Sequence, residues 1–137
     1  MAEFVMKDLV EKAGRSHDFY IESAAVSAEE LGNPVYPPAR RELAAHGISC
    51  EGKRAVQVTK ADYDNYDYLI CMDSSNLRNL ARIVGPDRDN KVSLLLDYTD
   101  RKGASIADPW YTGNFDKTYA DIQLGCQALL EKLKERI

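Results

Sequence analysis

The chain is poor in cysteine and has no close pair of them: the three thiols are Cys50, Cys71 and Cys126. An odd count at wide spacing argues against a disulfide framework. The absence of any C-x2-C pair argues against a structural zinc site. Reduced thiols are the simple expectation, which points to the cytoplasm. No apolar run approaches the roughly 20 residues that span a membrane. Glu3, Lys7 and Asp8 interrupt the first apolar residues, so the N-terminus does not read as a secretory signal. There is no basic tract: net charge is −4 and the Lys and Arg residues are scattered among acids. Nucleic-acid binding is therefore not expected, nor is a membrane partner. No internal repeat, low-complexity segment or linker divides the chain. What is present, 45% hydrophobic residues in a length of 137, suits a single domain over residues 1–137 with one core.

Strand and helix patterns alternate. Residues 1–13 read as a helix with Phe4, Val5, Leu9 and Val10 on one face and Glu3, Lys7 and Asp8 elsewhere, stopped by Gly14. Phe19-Tyr20-Ile21 reads as a short strand. Residues 32–38 form a loop, and a helix follows from about Pro38 to His46-Gly47, where His46 is placed to cap carbonyls. Arg54-Ala55-Val56-Gln57-Val58 reads as another short strand. Thr59 and Asp62 have the spacing of a helix capping box. Tyr68-Leu69-Ile70-Cys71-Met72 is an apolar run of the kind buried on both faces of a parallel sheet. Asp73 or Ser74 then caps a helix carrying Leu77, Leu80, Ala81 and Val84. Val92-Ser93-Leu94-Leu95-Leu96 is a further buried strand, residues 97–114 a long polar loop, and about Asp116 to Arg136 an amphipathic helix with Tyr119, Ile122, Leu129, Leu130 and Leu133 inward. The alternation predicts an α/β domain with a parallel sheet.

The loop ending in Asp108-Pro109-Trp110-Tyr111 follows a buried strand, so it belongs at the carboxyl edge of the sheet, where such folds bind ligands. Pro109 biases Asp108 toward an extended backbone and stiffens the loop. A positioned carboxyl beside two aromatic rings suits a general acid acting on an aryl leaving group. An Asp-Pro turn with aromatic neighbours is more often only a loop, so these residues alone do not decide function.

An ordered set of segments resembles the low-molecular-weight protein tyrosine phosphatases: Met1-Ala2-Glu3; Ser23-Ala24-Ala25-Val26-Ser27; His46-Gly47-Ile48; Val58-Thr59-Lys60; Tyr66 through Arg78; and Asp108-Pro109-Trp110-Tyr111. The resemblance implies a three-layer, flavodoxin-like parallel sheet with helices on both faces. It implies hydrolysis of phosphotyrosine monoesters in a protein substrate through a cysteinyl-phosphate, with no cofactor and no metal. It casts Asp108 as the acid that protonates the departing tyrosine oxygen and then activates water. Trp110 and Tyr111 match one aromatic wall of the cleft, and Glu29 to Leu31 the opposite wall. Ser23 matches a serine that supports the phosphate loop. Where the family often carries Asp-Pro-Arg, this chain has Tyr36-Pro37-Pro38. Glu29 and Glu30 stand where some members have an aromatic residue.

The larger departure concerns the nucleophile. The family signature C-x5-R-S-P follows a short apolar strand, and its backbone N–H groups and arginine cradle the phosphate. These 137 residues contain no cysteine followed six positions on by arginine: Cys50 leads to Val56, Cys71 to Leu77 with Arg78 one place too far, and Cys126 to Lys132. None of the three reads as a replacement, since a reactive thiolate needs an accessible, electropositive setting. His17 and His46 suggest no pairing with a cysteine. The family sheet order 2-1-3-4 puts the corresponding strand in the centre, so the expectation is a sheet missing its central strand. Each buried backbone group left unpaired there costs roughly 1–3 kcal/mol, and strand exchange in a homo-oligomer is the expected remedy. The chain is expected to be inactive as it stands, whether as a fragment, a misassigned start or a truncated form. A non-catalytic binding or regulatory form is the alternative. An arsenate reductase on the same fold ranks lower, because Cys71 has no neighbouring cysteine.

Overall fold

The computed structural model describes residues 1–135. Its elements run α1 (Ala2–Lys12), a 3-10 turn (Ser16–Asp18), α2 (Pro37–Ala45), α3 (Lys60–Asn65), β1 (Leu69–Cys71), α4 (Ser74–Val84), β2 (Val92–Leu94), a second 3-10 turn (Leu95–Tyr98), α5 (Pro109–Thr112) and α6 (Phe115–Lys134). The expected end of the last helix at Arg136 lies outside the described residues. No helix among the described residues is long and apolar enough to cross a membrane.

β1 and β2 are parallel, with Leu69 opposite Val92, Ile70 opposite Ser93 and Cys71 opposite Leu94. Side chains alternate across this pair, as the pleat requires. Leu69, Cys71, Val92 and Leu94 face a cluster with Tyr63 of α3 and Leu80 and Val84 of α4. Ile70 and Met72 face the larger cluster, built by Val5, Met6 and Val10 of α1, Leu43 of α2, Leu95, Leu96, Ile106, and Ile122, Cys126, Leu129 and Leu130 of α6. Helices therefore cover both faces, giving an α/β architecture in three layers. Gly125 lets α6 approach closely: a Cβ there would lie 2.5 Å from Leu95 Cγ.

Caps follow the sequence. Asp73 is the N-cap of α4 and accepts from the Asn76 amide at 2.7 Å, while the Asn76 side chain accepts from Met72 N at 3.2 Å. Asp62 accepts from the Thr59 amide at 2.8 Å, completing the box at α3.

Five expectations need correction. Phe19-Tyr20-Ile21 is extended but joins no ladder. Phe19 and Ile21 still pack on the larger cluster, so burial created the apolar pattern without strand pairing. Residues 54–58 make only isolated bridges, Pro34 with Arg54 antiparallel and Ala25 with Gln57 parallel. The run Val92 to Leu96 stops being strand at Leu94: Asp97 accepts from Leu94 N at 2.9 Å and winds Leu95 and Leu96 into the 3-10 turn. Within the expected loop 97–114, Pro109–Thr112 closes a single helical turn. Glu3, expected off the apolar face, is instead buried at 5% exposure.

Candidate active site

The acid loop leaves the core beside the carboxyl end of β1. The Ile106 amide donates to the Met72 carbonyl at 2.8 Å, and Ile106 is 2% exposed. Thr118 of α6, itself buried, donates its hydroxyl to the Ala107 carbonyl at 3.0 Å. Two anchors thus fix residues 106 and 107, and Asp108 emerges next. Its backbone is extended (φ −74°, ψ 117°), and Oδ1 accepts from the Trp110 amide at 2.9 Å. Asp108 is the N-cap of α5, which ends at Gly113 with φ 72°. A left-handed residue there costs glycine little. Asp108 is exposed at the surface.

Opposite the loop lies a groove of about 530 Å³. Ser23, Glu30, Asn33 and Lys53 form its polar part, and Pro34, Tyr36, Val56 and Trp110 much of its apolar part. Ser23 is held from behind by Glu3. The Glu3 carboxylate accepts from the Ser23 amide at 2.9 Å and from its hydroxyl at 2.6 Å. Lys53 Nζ lies 2.9 Å from Glu3 and 3.6 Å from Glu22, and donates to the Ser23 carbonyl at 3.0 Å. Lys7, one turn on in α1, contacts Glu3 at 2.7 Å. Burial pushes the Glu3 carboxyl up, but the hydrogen bonds from Lys7, Ser23 and Lys53 and the charge of Lys53 outweigh it and hold it at about 2. Glu3 is thus an ionised, buried hub joining α1 to the groove.

Trp110 is 56% exposed and lines the groove. Its ring packs on Tyr36 with centroids 4.4 Å apart. Tyr111, cast as the other ring of that wall, is 85% exposed and does not line the groove. Of the opposite wall, Glu30 reaches the groove, whereas Glu29 and Leu31 do not; Leu31 is 59% exposed. Glu30 accepts from the Asn33 side chain at 2.6 Å. The sequence reading gave no site role to Lys53 and Tyr36, which line the groove, or to Glu3, which holds Ser23 from behind. A lone glutamate in the segment Met1-Ala2-Glu3 was the one visible signal for Glu3. Nothing in the local pattern marks Lys53, whose role depends on a partner 50 positions away.

The three thiols are buried. Burial pushes Cys71 up to about 11, reinforced by the nearby charge of Asp73, and Cys126 up to about 12. Neither is a thiolate near neutral pH. His46 does not simply cap carbonyls: its Nε2 lies 3.0 Å from Glu42 and its ring stacks on Tyr119 at 3.7 Å. Among the described residues, no group of three His, Cys, Asp or Glu is arranged to hold a metal ion.

A family model described as low molecular weight phosphotyrosine protein phosphatase matches residues 1–137. The chain belongs to that family. It is 35% identical over 136 residues to the low molecular weight protein-tyrosine-phosphatase YfkJ of Bacillus subtilis, a match covering 98% of this chain and 87% of the relative. The crystal structure of YfkJ superposes with a TM-score of 0.93 at 33% identity, over 98% of this chain and 86% of that one. The low molecular weight phosphotyrosine protein phosphatase of Gallus gallus is 39% identical over 137 residues, 96% of this chain and 85% of its own length. The low molecular weight protein tyrosine phosphatase of Streptococcus pyogenes aligns with a TM-score of 0.83 at 36% identity, over 96% of this chain and 82% of that one. The groove and the Asp108 turn therefore lie on a fold shared with low molecular weight phosphotyrosine protein phosphatases.

Proposed function

We propose that this chain carries the general-acid and aryl-binding half of a protein tyrosine phosphatase site acting on phosphotyrosine in proteins. The observation that carries the reading is the Asp108 turn, anchored at the carboxyl end of β1 with Trp110 on the groove that Ser23 enters from the other side. Asp108 would protonate the phenolic oxygen as the phosphorus–oxygen bond breaks, then take a proton from the water that releases phosphate. Trp110 would flank the ring from within the groove, and Tyr111, Glu29 and Leu31, which lie outside the groove lining, would meet it only as substrate closes the rim. The nucleophile step requires a thiolate and a phosphate-gripping arginine at C-x5-R spacing, which these 137 residues do not contain. The buried, high-pKa thiols of Cys71 and Cys126 support the view that no other cysteine takes over.

The 137-residue chain is accordingly expected not to turn over para-nitrophenyl phosphate or a phosphotyrosine peptide in reducing buffer. Turnover abolished by Cys50→Ser, Cys71→Ser or Cys126→Ser would overturn this reading and locate a rebuilt nucleophile. We also propose that the family's central strand is missing from the sheet. In its favour, β1 pairs in the sheet with β2 alone among the described residues, and the extended Phe19-Tyr20-Ile21 is unladdered. Strand exchange between two copies in the cytoplasm would cover the open edge. A monomer at every concentration in size-exclusion light scattering would count against that arrangement.

A further inference from the structure

Tyr36 stands where the family pattern often places the acid of Asp-Pro-Arg, and the resemblance assigns it no role. Its ring is 43% exposed, yet it makes two aromatic contacts: Trp110 at 4.4 Å and Phe115, the first residue of α6, at 6.1 Å. The Phe115 separation falls within the range of favourable ring pairs, and the Trp110 separation sits at its short edge. Tyr36 is therefore the point where the segment before α2 meets the acid-bearing turn.

The backbone around Tyr36 is unusually well fixed. Tyr36 is the N-cap of α2, followed by Pro37 and Pro38 in the first turn. Each proline has a locked φ and no amide to leave unpaired there. The Tyr36 carbonyl accepts from Arg40 N at 3.0 Å, and α2 is anchored in the core by the fully buried Leu43. The partner is less secure. α5 is one turn long, and isolated turns of that length are unstable in water. Its local supports are the Asp108 side-chain cap, the Tyr111 and Thr112 amides on the Asp108 carbonyl at 3.1 and 3.4 Å, and the Gly113 amide bonded to the Pro109 carbonyl at 2.8 Å. A fixed post thus packs against a weak turn.

We propose that Tyr36 is a positioning residue for the general acid: through Trp110 it tethers the Asp108 turn to the α2 side of the groove and keeps the carboxyl over the aryl slot. The inference rests on the phosphatase reading for the identity of the acid, but the tether itself is a property of the folded chain. Tyr36 acts by its ring face, so phenylalanine should replace it and a non-aromatic residue should not.

Hydrogen exchange by mass spectrometry on the whole 137-residue chain tests this without substrate. In Tyr36→Ala, and in the bulkier Tyr36→Leu, amides of residues 110–113 are expected to exchange about 3–10-fold faster, the loss of one aromatic pair. Amides of α1 and α6 around Val10 and Ile122 should keep their rates. Tyr36→Phe should match the parent. Trp110 is the chain's only tryptophan, so acrylamide quenching of its emission should rise about two-fold in the first two variants and stay put in the third. Unchanged exchange and quenching in both Tyr36→Ala and Tyr36→Leu would overturn the tether. So would acceleration spread equally over α1 and α6, since that reports global stability. Failure of the phosphatase reading would show separately, as turnover that survives Asp108→Asn in a chain supplied with a nucleophile.

Discussion

The side of the molecule built by α1, α6 and the turn after β2 is held by apolar packing; the groove side, residues 19–36 and 52–58, is held by polar ties. Leu43, Leu96 and Val5 are essentially inaccessible on the first side. On the second, the backbone makes two isolated bridges, and the exposed residues include Tyr20, Leu31, Tyr36 and Val56. Beyond Phe19, Ile21 and Val35, which pack on the larger cluster, it is tied by the Glu3 carboxylate, which reaches from the closed side to grip Ser23 and Lys53. Burial is distributed over many side chains, so the connection does not rest on one group, although emptying any fully buried position is costly. A single ionised hub concentrates the connection in a few hydrogen bonds of a buried charge, each worth more than a neutral one. The difference sets dense apolar packing behind the groove and exposed, sparsely bridged backbone around it.

The largest break in this contrast is expected from Leu96→Ala, which empties a fully buried position and should cost about 2–5 kcal/mol in urea unfolding. Glu3→Gln comes next, at about 3 kcal/mol near neutral pH, because it strips a buried charge pair and leaves Lys53 without its main partner. Its signature is pH dependence. The Glu3 carboxyl sits at about 2 when folded against an ordinary value of 4.5. Its contribution is thus complete above about 4.5 and declines as pH falls toward 2. Parent and variant stabilities should converge through that window, and a constant gap would show that Glu3 acts by shape rather than charge. Gly125→Ala should lose about 1–2 kcal/mol despite its better helix propensity, because the new methyl group meets Leu95. Asp73→Ala should cost about 1 kcal/mol through loss of the α4 cap. At the other extreme, Leu31→Ala on the rim should stay within about 0.5 kcal/mol by the same unfolding measurement. A larger loss there would mean that the rim is packed after all.

Legibility in the sequence followed the same divide. α4 could be bounded from Asp73 and Leu80, and α3 from Thr59 and Asp62, because caps and helical periodicity act within a few residues. β1 was visible as an apolar run. Phe19-Tyr20-Ile21 carried the same local signal and is not a strand, because strand identity needs a partner that no local pattern reveals. Leu95 and Leu96 looked like strand until the Asp97 side chain, competing for the Leu94 amide, turned them into a helix turn. Asp108 and Trp110 were singled out by the residues and the resemblance, and the fold sets them on one anchored turn. Lys53 and Tyr36 were not, since each acquires its place from a residue far along the chain.

The sequence by itself determined the α/β alternation, the helix caps, the family and the acid loop, all of which rest on short-range patterns of side chains. The tertiary structure decided that Glu3 is buried and charged, that Ser23 and Lys53 share it, and that Tyr36 packs on Trp110. Those outcomes depend on which distant groups meet once the core closes, where desolvation makes each polar group find a partner.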